Sequence, residues 1–186
     1  MEKVLNLERI LGGISRVEIR PWKLTDGNYI APAFDDTDDI YTLPKCIKDS
    51  TSITTEDGDS TTIQAENNNT IWSQKASGST TFTTEIADLQ DNVLTGLLGY
   101  TIEVDGENTY RHSPSNSWYQ YATIRMFFAD GTNALTCWKA KMYSTLTAES
   151  LSSDVANGTI TATLEEFNFG DETTPKLRKF SVDTIG

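Results

Sequence analysis

The chain is poor in the residues that most often do chemistry or hold metal. It has one histidine, His112, so multi-histidine metal sites are excluded and any Ser-His-Asp scheme would rest on that single ring. Its two cysteines, Cys46 and Cys137, lie far apart with no C-x-x-C, which leaves neither a disulfide framework nor a cysteine-rich zinc site supported; two buried free thiols are expected. Basic residues are scarce, 15 Lys and Arg against 27 Asp and Glu, for a net charge of −12. A duplex-DNA reader and a protein of anionic membrane surfaces both need clustered cations, so both are disfavoured. No apolar run approaches the roughly 18 residues of a membrane-spanning helix, and "MEKVLNLERILGGISR" has no sustained apolar stretch of the secretory kind. The expected place of synthesis is a cytoplasm, with release by lysis if release occurs.

Also missing are G-x-G-x-x-G, G-x-x-x-x-G-K-[ST] and G-x-S-x-G. Acid is plentiful but poorly spaced for an ion. The stretch "AFDDTDDIY" holds Asp35, Asp36, Asp38 and Asp39, yet an EF-hand counted from Asp35 meets Ile40 and Cys46 where Gly and Glu are needed. Counted from Asp57 it meets Thr62 and Asn68. Glu165 and Glu166 fall on a predicted strand and point to opposite faces, a poor arrangement for shared acid-base work. His112, beside Ser113 and Pro114, reads as a surface residue. No catalytic constellation remains, and neither metal nor cofactor is expected.

What the chain does have is alternation. "RVEIR" puts Val17 and Ile19 on one face and Arg16, Glu18 and Arg20 on the other, as in a half-buried strand that Pro21 ends. "STTFTTEIA" turns Phe82, Thr84 and Ile86 inward, "TITATLEEF" does so with Ile160, Ala162 and Leu164, and "KLRKFSVDTI" reads as a last strand. "TIEVDGENTYRH" and "YQYATIRMFFADGTNALTCWKAKMY" each carry Asp-Gly between β-rich arms, a strong hairpin signal. In the second, Ile124, Met126 and Phe128 share one face and Trp138, Ala140 and Met142 another, forming the predicted centre of the core. Arg125, Lys139 and Lys141 then make a basic outer surface. "WYQYATIRMFF" also interleaves aromatics with Arg125, as a stacking platform for single-stranded nucleic acid or sugar would, but core packing explains the same residues more simply.

One helix is predicted over about residues 88–98, with Asp88 as N-cap, Leu89, Val93, Leu94 and Leu97 as an apolar stripe, and Gly99 in the closing left-handed position. Residues 49–70 break the pattern, because Ile53 and Ile63 are their only sizeable apolar side chains. Such a segment is expected either as a loop or as a hairpin that projects and orders against another chain. Charge is divided too: from Asp49 to Glu107 there are eleven acids and one base, Lys75, whereas from Arg111 to Lys141 there are four bases and one acid, Asp130. Complementary patches at different places on one chain suit head-to-tail contacts between copies.

The order of these parts resembles the phage major tail proteins, tail-tube subunits related to the tubes of type VI secretion and contractile injection systems. The likeness runs from about residue 13 to 183: the polar segment at 49–70, "TTFTTEI", "DLQDNVLTGLLGY", the long hairpin ending "CWKAKMY", and "GTITATLEEFNFG". The length of 186 residues itself suits a single domain over 1–186, with residues 1–12, outside the likeness, as an N-terminal arm. The implied fold is mainly β, a barrel or sandwich of two packed antiparallel sheets with one flanking helix. The likeness further implies a non-enzymatic subunit of hexameric rings that stack into a tube, assembled in the host cytoplasm and resident in the virion. Partners would be other copies and other tail proteins such as tape measure, baseplate or terminator, with DNA passing through unbound and no membrane engaged. Ile53, Glu56, Asp57, Asp59, Ile63 and Glu66 match the contact from one ring to the next. Asp35, Asp36, Asp38 and Asp39 would face either the lumen or a neighbour, and Arg125, Lys139 and Lys141 a subunit interface. The competing expectation is a virion or cell-surface β-sandwich that binds carbohydrate or protein near Trp118, Tyr119 and Tyr121.

Overall fold

The computed structural model describes residues 13–32, 40–43, 50–58, 60–64, 70–75, 78–87, 89–115, 117–129, 131–147, 157–168 and 176–184. Within them the period-two patterns become strands, and the chain is mainly β with one short helix. In order these are β1 (Ile14–Pro21), β2 (Lys23–Thr25), β3 (Asn28–Ile30), β4 (Tyr41–Leu43), β5 (Ser52–Thr55), β6 (Ser60–Gln64), β7 (Thr70–Lys75), β8 (Thr80–Ile86), α1 (Asp91–Gly96), β9 (Thr101–Asp105), β10 (Asn108–His112), β11 (Gln120–Phe128), β12 (Asn133–Thr147), β13 (Asn157–Glu165), β14 (Phe167–Asn168), β15 (Leu177–Arg178) and β16 (Phe180–Thr184).

Eight strands make one antiparallel sheet in the order β4-β1-β11-β12-β13-β8-β5, with β16 also on β12. The long β12 joins two halves, since its first part pairs with β11 and β16 and its last part with β13. Side chains from both halves meet in one core: Val17, Ile19, Ile124 and Met126 from one, Phe82, Ile86, Ile160 and Leu164 from the other, each at most 2% exposed. The sheet therefore curls around the core, and its halves pack as a sandwich. Its buried hydroxyls are paired. Thr84, fully buried, meets Thr51 Oγ1 at 2.8 Å.

Helix α1 closes one end of this sandwich. Val93, Leu94, Leu97 and Leu98 are buried as the apolar stripe requires. Gly96 lies where a Cβ would overlap the Tyr41 hydroxyl of β4, and a Cβ on Gly158 of β13 would come within 2.9 Å of Leu98, so the helix touches both halves. It is shorter than predicted, because extended Gln90 occupies the N-cap with no side-chain cap bond; Asp88 lies outside the described residues. The other end follows expectation: Gly99 has φ +72°, and Tyr100 N–H donates to the Leu94 carbonyl at 2.9 Å.

Two corrections arise from local irregularities. Ala122 pairs with Ala140 but Ile124 with Cys137, so β12 advances three residues while β11 advances two. This β-bulge reverses the parity of β12. Cys137, Ala140 and Met142 face the core, while Trp138 turns outward, donating from Nε1 to Ser181 Oγ at 3.0 Å. The second correction concerns residues 49–70. Residues 52–55 are not part of a projection but form β5 on the edge of β8, where Ile53 packs against the core. Beyond it, β6 and β7 form a hairpin whose strands, among those described, pair only with each other.

Candidate assembly surface

The face of the sheet turned from the core collects aromatic and cationic side chains. Arg125, Lys139 and Lys141 lie there because Ile124, Met126, Ala140 and Met142 take the inside. Lys139 Nζ stands 4.8 Å from the centre of the Tyr121 ring, Lys141 Nζ 4.1 Å from that of Tyr119, and the Arg16 guanidinium 3.7 Å from that of Phe127. Tyr29 and Tyr119 both meet Tyr121 edge-on, at 4.9 and 5.9 Å. Burial, and then the charge of Glu165, push the Tyr121 hydroxyl above the usual tyrosine range.

The basic surface predicted from the alternation is thus partly neutralised in place. Lys139 bonds Glu165 at 2.6 Å, and Glu18 lies between Arg16 at 3.3 Å and Arg20 at 3.4 Å. Lys141 differs: among the described residues it faces tyrosine rings and no carboxylate, and its hydrogen bond to Tyr143 holds the ammonium above the usual lysine range. Beside this cluster a cleft of about 100 Å³ is lined by Arg20, Thr123, Arg125, Trp138 and Phe167, with Ala31 and Pro32. That volume is well below the roughly 300 Å³ at which small-molecule sites begin. Trp118 packs instead against Gly99 at the end of α1, so it does not join Tyr119 and Tyr121 in one binding pocket.

A second surface is the outer edge of β16. On the core side, cross-strand neighbours form two rows, Ile19–Ile124–Cys137–Phe180 and Val17–Met126–Leu135–Val182. Burial falls along each row. The first three members of the former row are fully buried, but Phe180 is 46% exposed, and Val182 ends the latter row at 52%. On the opposite side Thr136 Oγ1 donates to Asp183 Oδ2 at 2.7 Å and Ser181 Oγ to Asp183 Oδ1 at 2.9 Å, fixing β16 to β12. Among the described strands none pairs with its other edge.

The third surface is the hairpin β9–β10, exposed throughout from Glu103 to His112. Its attachment includes a fork in which Arg111 donates to both Asp91 oxygens at 2.6 and 3.1 Å. The register sets Glu103 opposite Tyr110 and Asp105 opposite Asn108 on one face, with Ile102 and Arg111 on the face toward α1. His112 is exposed, with Nε2 3.0 Å from Glu103 Oε2 and its ring stacked on Tyr110.

The remaining candidates fall less cleanly. Glu56 and Asp57 are exposed just after β5, Ile63 sits in β6 opposite Trp72, and Ile53 of β5 is partly buried against the core. Asp59, Glu66, Cys46 and the run Asp35, Asp36, Asp38 and Asp39 lie outside the described residues. Among the described residues no cluster of His, Cys, Asp and Glu is placed to hold a metal, and no helix is long and apolar enough to cross a membrane.

No protein-family model and no curated protein matches the chain. The functional reading therefore rests on its exposed surfaces. Sequence reasoning missed the edge of β16 among these surfaces, and also the short hairpin β2–β3. The edge of β16 carries a legible signal, Phe180 and Val182 alternating with polar residues, but alternation does not say which strand is left without a neighbour. The hairpin β2–β3 was signalled by Asp26-Gly27, whose φ values of 50° and 80° make the left-handed two-residue turn such a ribbon prefers.

Proposed function

We propose that the chain is a non-enzymatic structural subunit that assembles with copies of itself into stacked rings, the tube of a phage tail. The observation that carries this reading is the edge of β16. A soluble monomer normally blunts an edge with charge, proline, a bulge or a cover; Phe180–Thr184 holds no lysine or proline, its register on β12 is unbroken, and among the described strands none covers it. Its apolar rows run outward from the core and stop half-covered, which is the condition a neighbouring strand would complete. The separate β6–β7 hairpin supplies a candidate for contact between rings, and a net charge of −12 suits a conduit through which DNA passes without sticking.

Electron microscopy of the concentrated, purified chain tests the proposal. Stacked rings or tubes are the expected result. Dispersed monomers at high concentration would overturn it and leave a β-sandwich binding module as the better reading.

A further inference from the structure

We propose that the β9–β10 hairpin of one copy docks its acidic, aromatic face onto the cationic, aromatic outer face around Lys141 of the next copy. This rests on the self-assembly reading above and names two surfaces that meet.

Among the described strands β9 and β10 pair only with each other. A two-stranded ribbon is marginal in water unless something covers a face. Here both faces are open: Val104 is 69% exposed and Tyr110 47%. One face and the tip carry Glu103, Asp105 and Glu107 together with Tyr110. Glu103 is bonded to His112, but Asp105 and Glu107 have no ion pair among the described residues.

The receiving face has the opposite character. Its carboxylates Glu18 and Glu165 are each bonded to cations of the same face. Among the described residues Lys141 meets tyrosine rings and no carboxylate, and Tyr119 and Tyr143 beside it are 38% and 37% exposed. An ammonium with no carboxylate among the described residues, on a chain of net charge −12, suits an acidic partner. The hairpin offers the other half, two acids and an exposed tyrosine that matches the exposed tyrosines of the receiver. Because the two surfaces lie at different places on the chain, the contact is head-to-tail and propagates into a ring or filament.

The test is a charge swap read by sedimentation velocity. The variants D105K/E107K and K141E are each expected to raise the concentration needed for assembly at least ~10-fold, through repulsion where attraction stood. Mixed one to one, reversed hairpin meets reversed face, and assembly is expected to return toward the wild-type concentration. K141M keeps the stem over Tyr119 without the charge and should fall between wild type and K141E. Unchanged thermal melts establish that the exposed substitutions leave the fold intact. If wild type assembles and the reversals do not weaken it, or the mixture fails to recover, the docking is wrong while self-assembly stands. If wild type stays monomeric, both fall.

Discussion

Replacing Phe180 and Val182 by lysine converts the edge of β16 into the kind that natural sheets use to refuse partners. A phenylalanine covers about 150–250 Å² when buried. With 46% of Phe180 still exposed, roughly 90 Å² awaits a neighbour, and the 52% exposure of Val182 adds roughly 70 Å². At about 25 cal/mol per Å², covering most of this contributes about 3 kcal/mol per contact, or about 100-fold in association. The lysine stems can lie along the half of each site that is already covered, so monomer stability should change by less than about 1 kcal/mol. The substitutions also reduce the net charge from −12 to −10, which by itself favours association. Lost assembly is therefore not attributable to general repulsion.

The assay is sedimentation across a concentration series, beside a urea melt of each protein. The expected result is a rise of about 100-fold in the concentration at which large species appear, with closely similar melts. A shift of less than about threefold would refute the reasoning, because half-exposed apolar rows would then have gained nothing from a partner.

Further expectations concern the fold that presents this edge. Burial pushes the Cys137 thiol up to about 12 from an ordinary value near 9. Native protein should therefore leave Cys137 unlabelled by a thiol reagent until it is denatured, as mass mapping of the labelled site would show. Because its folded pKa is raised, its contribution to stability is complete below about pH 9. It falls by at most about 1.4 kcal/mol per pH unit as pH rises from about 9 to about 12, a loss measurable by urea melts at a series of pH values and reduced in a Cys137→Ala background. Gly99→Ala should cost about 2–4 kcal/mol in a urea melt, since φ is +72° and a Cβ would overlap the Trp118 indole. Gly131→Ala, at φ +71° with open space around it, should cost only about 1 kcal/mol.

Much of the fold was legible because one face of each central strand is buried. Val17 and Ile19, Phe82 and Ile86, and Ile160, Ala162 and Leu164 are inside as their alternation required. The turn of the first predicted hairpin sits one residue later than Asp-Gly suggested, over Gly106 and Glu107, with Gly106 at φ +62° and Asp105 still paired in β9. Trp138 was misplaced because a bulge inserts a residue that no periodicity announces. Ile53 was misplaced for a different reason: its own segment buries little, but β8 offers it a place on the core. The predicted last strand is divided at Lys179, so that Leu177–Arg178 pairs with β14 and Phe180–Thr184 with β12. Partner choice of this kind is tertiary and leaves no local trace. The three basic residues of the outer face were placed correctly by alternation, whereas the pairing of Lys139 with Glu165 depends on the register of β12 against β13.

The open sheet offers other edges, and their chemistry explains why β16 rather than these is the one to follow. β4 is three residues long, and its Leu43 is buried. β5 turns its one apolar side chain, Ile53, inward and leaves serine and threonine outside. Short or polar edges of that sort gain little from a partner. β16 is longer, is held against β12 by the Thr136–Asp183 bond, and alone among these edges ends two apolar rows in solvent. Pairing of β16 with a second β16 would be twofold and would stop at a dimer. Pairing with a different edge, together with the complementary charges of β9–β10 and the Lys141 face, propagates. The size distribution separates the two: growth past two protomers is expected, and a plateau at the dimer would assign β16 to a twofold contact and remove the ring.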